Sequence, residues 1–66
     1  MQIFLNGQML SLQVPTSIAQ LLAQQGYAER RVAVEVNRSI VPKSQHDNHM
    51  LCEHDKVEIV HALGGG

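Results

Sequence analysis

From Gln2 to Val14 the chain alternates apolar and polar positions around a break at Asn6-Gly7. Asn-Gly between two alternating runs is a strong hairpin signal, because a type I′ turn needs positive φ at both central positions. That turn sets Leu5 opposite Gln8, Phe4 opposite Met9 and Ile3 opposite Leu10. Strand side chains alternate, so Ile3, Leu5, Leu10, Leu12 and Val14 are expected on one face and Phe4 and Met9 on the other. Pro15 is expected to stop the second strand. In TSIAQLLAQQG the period changes, with Ile18, Leu21, Leu22 and Gln25 at helical spacing. Thr16 or Ser17 supplies the cap and Gly26 the stop, giving an amphipathic helix of about 9 residues that is too short to persist alone. It must pack against the strands.

Val32 to Val36 alternates again, with Val32, Val34 and Val36 inward, and Asn37-Arg38 reads as a second turn before Ile40-Val41 and a stop at Pro42. Lys43 to Asp55 is polar and predicts an irregular loop. One helical turn is expected from Ser44, with Met50 and Leu51 as the apolar anchors. The last strand begins at Lys56 and turns Val57 and Ile59 inward. Hairpin, helix, strand, connection and strand are satisfied economically by one main helix across one face of a mixed four- to five-stranded sheet. This is an α+β chain of β-grasp type. In that arrangement the last strand is central and parallel to the first, and its end leaves the sheet as an arm. Residues 1–66 are expected to form a single domain, with 63–66 a flexible C-terminal arm.

Composition narrows the chemistry. The chain has 66 residues, is 44% hydrophobic and carries net charge −1, which fits a small globular domain. Its five Lys and Arg are scattered without interleaved aromatics, unlike a nucleic-acid interface. No apolar run approaches the ~18 residues of a membrane helix, and no leader pattern opens the chain. One cysteine, Cys52, excludes an internal disulfide and suits a reducing compartment. A soluble, cytoplasmic protein, monomeric when free, is expected. His46, His49, Cys52 and His54 fit no standard zinc spacing, so a solvated loop is expected and no metal site. Cys52 reads as a small apolar residue at a loop end. No phosphate-cradling glycine loop or carboxylate pair in a cleft is evident, so no catalytic residue is assigned and an enzyme in its own right is not expected.

The sequence closes on Leu63-Gly64-Gly65-Gly66. Three glycines extend about 10 Å at ~3.3 Å each, and without Cβ atoms they pass a channel that would reject other residues. Such an arm can deliver its terminal carboxylate into another protein. A carboxylate is a poor electrophile, so chemistry there requires activation by a second protein, for example as an acyl-adenylate. On MQIFLNG, TSIAQLLAQ, VAVEVNRSIVPK, DKVEIVHAL and the terminal Gly-Gly, the chain resembles the ThiS family of thiamin-pathway sulfur carriers, within the ubiquitin-like β-grasp superfamily. VAVEVNRSIVP is the most specific internal match. Two positions depart from the family pattern: His46 stands where many relatives carry tryptophan, and His54 where a Gly-Asp turn is common.

The resemblance implies a cycle. An E1-like adenylyltransferase uses Mg and ATP on the Gly66 carboxylate. Sulfur from a cysteine desulfurase system converts it to a thiocarboxylate, and thiazole synthase takes that sulfur for the thiazole ring of thiamin. The chain itself holds no cofactor and acts as a protein co-substrate. Alternation adds a partner surface: Phe4, Met9, Val60 and Ala62, with Ala33 beside them, face away from the helix, and Leu63 anchors the arm. A carrier for molybdopterin synthesis or tRNA thiolation, and a non-catalytic β-grasp interaction module, are the alternatives.

Overall fold

The structure, a computed structural model, describes residues 1–61. Strands β1 (Gln2–Leu5) and β2 (Gln8–Ser11) form the expected hairpin, with Phe4 paired to Met9 and Ile3 to Leu10. Asn6 at φ 49° and Gly7 at φ 85° give the type I′ turn its two left-handed residues. Helix α1 (Ile18–Gln24) follows, then β3 (Val32–Val36), β4 (Ser39–Ile40), a 3₁₀ turn at Lys43–Gln45, and β5 (Lys56–His61). The sheet order is β2-β1-β5-β3-β4. β5 runs parallel to β1 and antiparallel to β3, so the last strand is central, and the sheet has five strands.

Helix α1 is short and heavily capped. Ser17 Oγ accepts from Gln20 N at 3.1 Å while Gln20 Oε1 accepts from Ser17 N at 2.8 Å, a reciprocal capping box. At the other end Gly26 takes φ 86°, Tyr27 N donates to Leu22 O at 2.7 Å, and Gly26 N donates to Ala23 O at 3.3 Å. That is a Schellman stop. Ile18, Leu21 and Leu22 turn inward onto Ile3, Val34, Val36, Val57 and Ile59, with Leu12, Val41 and Leu51 closing the core.

Four expectations are corrected. Val14 is 61% exposed, because β2 ends at Ser11 and the chain bends before Pro15, with Thr16 Oγ1 donating to Val14 O at 2.8 Å. The strand alternation therefore lapses before Val14. Met50 is exposed, and Leu51 alone anchors the loop. His46 is not solvated: it is 7% exposed, its Nε2 donating to Val41 O at 3.0 Å. Cys52 is exposed at a turn and is not packed.

The 43–55 loop is ordered by backbone pairing with the helix start. Ile18 N donates to His49 O and Ala19 N to His46 O, both at 3.0 Å, and Leu51 N donates to Thr16 O at 2.9 Å. The first turn of any helix leaves N–H groups without intrahelical acceptors. Here the loop supplies those acceptors.

Candidate functional site

The strand leading to the glycines is held from both sides along its first half. Phe4 N donates to Asp55 O at 2.8 Å and Asn6 N to Val57 O at 2.9 Å. The turn residue Asn6 then extends the ladder with its side chain, Oδ1 accepting from Ile59 N at 2.9 Å. Past Ile59, β1 no longer runs beside β5. Only β3 accompanies it, with Ala33 opposite Val60 and Val32 opposite His61. The end of β5 therefore stands on one flank of the sheet only.

Among the sequence-assigned site residues, Phe4, Met9 and Val60 lie on the sheet face opposite α1. Val60 is 54% exposed, Met9 is 59% exposed, and Phe4 is half-buried. The register resolves them into two pairs. Phe4 and Met9 are cross-strand neighbours, level with Lys56. Val60 pairs with half-buried Ala33 four residues further along β5, about 13 Å at 3.2–3.4 Å per residue. Between the pairs, Glu58 stands opposite Glu35, and exposed Ile40 flanks Glu35 on β4. Ala62, Leu63, Gly64, Gly65 and Gly66 lie outside the described residues.

Sequence alternation puts Glu58 on this face together with its apolar members, but it does not give the Glu35–Glu58 row. The signal was available: Glu35 and Glu58 are the outward residues flanked by inward valines and Ile59. Their pairing depends on register, which one strand read alone does not carry.

The polar candidates are dispersed. Among the described residues no three His, Cys, Asp or Glu side chains converge as metal ligands. His54 and Glu53 approach at 3.4 Å on the exposed 52–55 turn. That turn is closed by Asp55, whose N donates to Cys52 O at 3.1 Å and whose Oδ2 accepts from Cys52 N at 2.8 Å. His54 adopts φ 68°, a conformation glycine fills without steric cost. No helix among the described residues is long and apolar enough to cross a membrane.

Comparison with known proteins places this geometry. The model of the ThiS family matches residues 3–66. The sulfur carrier protein ThiS of Bacillus subtilis is 38% identical over 63 residues, covering 94% of this chain and 96% of that protein. A thiazole synthase of Magnetococcus marinus is 38% identical over 66 residues, all of this chain but 20% of the synthase; this chain thus spans about a fifth of that relative. A similar match, again to 20% of its length, is a thiazole synthase of Paramagnetospirillum magneticum. The crystal structure of a thiamine biosynthesis protein (ThiS) from Geobacter metallireducens superposes with TM-score 0.86 at 25% identity, covering 100% of both chains. A central parallel last strand, one capped helix and a family match over residues 3–66 agree: this chain belongs to the ThiS family.

Proposed function

We propose that the protein is a co-substrate whose reactive group is the α-carboxylate of Gly66. An E1-like adenylyltransferase, which binds the Mg and ATP, lets a Gly66 carboxylate oxygen attack the α-phosphorus, expelling pyrophosphate and leaving an acyl-adenylate. A persulfide sulfur from a cysteine desulfurase system attacks the acyl carbon and AMP departs. A thiol then cleaves the sulfur–sulfur bond, leaving the thiocarboxylate. Thiazole synthase accepts that sulfur, and the carrier returns as the carboxylate. One observation carries this reading: the family match runs through the three glycines to Gly66. The likeness of the whole chain to part of two thiazole synthases supports that enzyme as the acceptor.

The roles divide along the chain. Gly64 and Gly65 present no Cβ to a narrow channel, Leu63 anchors the arm, and Phe4, Met9, Val60 and Ala62 contact the partner body. The carrier itself binds no cofactor or metal and acts in the cytoplasm as a monomer between partners. Rescue of a thiamin auxotroph lacking its own carrier tests the assignment. The intact chain restores growth without thiamin. Deletion of Gly66, or addition of one alanine after it, abolishes rescue with an unchanged urea midpoint. Growth supported by either variant would overturn the role of Gly66. Failure of the intact chain, with molybdopterin synthesis or tRNA thiolation restored instead, would redirect the pathway.

A further inference from the structure

Beside the end of β5, between the C-terminal end of α1 and the Lys43–Gln45 turn, lies a cavity of ≈ 210 Å³. Buried or half-buried Leu22, Tyr27 and Val32 give it apolar walls, and His46 closes it. Nε2 of His46 is held by its hydrogen bond to Val41 O, which fixes the ring at the cavity wall. Exposed Ala28, Arg30, Arg31 and Lys43 complete the lining. The last three are three of the five Lys and Arg in a chain of net charge −1, and Arg30 and Lys43 have no ion-pair partner among the described residues. The nearest carboxylates in sequence are Glu29, which precedes Arg30, and Asp47, which borders an adjoining cavity that shares Lys43 and His46 with this one.

Position gives the cavity its meaning. Val32 pairs with His61, so Arg31 and Arg30 lie beside the place where β5 ends, and the Tyr27 ring is 5.8 Å from the His61 ring. A protein that takes up the residues after His61 approaches this cavity. Its volume falls below the roughly 300–1,000 Å³ of small-molecule sites, and suits one large side chain. We infer that the cavity is a second docking point for the protein that receives the arm, accepting an acidic segment that inserts one large apolar side chain. The inference rests on the arm-delivery reading for its partner. Apolar anchoring in a preformed pocket supplies affinity, and the cationic lining supplies orientation and association rate.

The test uses the full chain, isotope-labelled, titrated with a capped peptide Asp-Glu-Phe-Asp-Glu and two controls, Asp-Glu-Ala-Asp-Glu and Lys-Lys-Phe-Lys-Lys. The acidic phenylalanine peptide is expected to shift the amides of residues 27–32 and 43–46. The double variant Arg30→Glu with Lys43→Glu raises its Kd about tenfold, while Arg38→Glu, at the remote β3–β4 turn, leaves it unchanged. Equal shifts from the basic peptide, undiminished binding by the double variant, or no shifts at all would overturn the docking point. With the adenylyltransferase, the double variant raises the KM for carrier at constant kcat; an unchanged KM, where the wild-type chain is adenylated, also overturns it. Absence of adenylation of the wild type sinks the arm reading alone, since the peptide titration does not depend on Gly66.

Discussion

Asn6 shows how much one residue can hold and how little of it is visible locally. Its first role, a left-handed turn beside Gly7, follows from the dipeptide and its alternating flanks. Its second, accepting from Ile59 N across 53 positions of sequence, has no local signature. The two separate experimentally. Asn6→Gly keeps the backbone conformation and loses the acceptor, at a cost of about 1 kcal/mol. Asn6→Ala loses both and is expected to cost about 2 kcal/mol, read from urea unfolding at constant m. Equal losses would mean that the left-handed conformation of residue 6 contributes nothing beyond the hydrogen bond to β5. At His54 the sign reverses. Its φ of 68° is strained for a residue with a Cβ, and its exposed side chain meets Glu53 at 3.4 Å. His54→Gly is therefore expected to stabilise, by about 1 kcal/mol, the strain relieved exceeding the entropy that glycine adds to the unfolded chain. A lower melting temperature for His54→Gly would show that the strain relieved at residue 54 is smaller than the entropy glycine adds to the unfolded chain.

Among the elements, those with a local period were legible and those held by non-local backbone pairing were not. The hairpin register, α1 with its Ser17 cap and Gly26 stop, and β3 follow from alternation, helical spacing and turn chemistry. The 43–55 loop does not. Its polar composition reads as solvated, yet its carbonyls cap the helix and its His46 is buried against Val41 O. Val14 misled for a related reason, since alternation continues in the sequence after the strand has bent away. A helix of 7 residues held this way is sensitive to its first turn. Ser17→Ala is expected to cost about 1 kcal/mol, and to raise amide exchange at residues 46–51 along with the helix, because the two share hydrogen bonds. Faster exchange in α1 alone would uncouple them. Leu21→Ala, in the sealed core, costs about 2–5 kcal/mol, a large share of the total stability of so small a domain. Circular dichroism of this variant is expected to show a largely unfolded chain.

For the molecule as a whole, the proposed function asks the fold to present the residues that follow β5. The sheet centres on β5, β1 releases it after Ile59, and the chain continues toward three glycines. The outward placement of Phe4, Met9 and Val60 was legible because parity along a strand fixes the face a side chain takes. The division of the outer face by Glu35 and Glu58, and the cationic cavity at Tyr27 and His46, arise from residues far apart in sequence meeting across register. The central claim, that the Gly66 carboxylate is the sulfur acceptor, is tested most directly by intact mass. The protein is weighed before and after incubation with Mg-ATP, an E1-like adenylyltransferase and a sulfide source. The account predicts a gain equal to the exchange of one oxygen for one sulfur, absent when Gly66 is deleted. An unchanged mass with an adenylyltransferase shown to act on its own carrier and to bind this one, or a gain that survives deletion of Gly66, would contradict it.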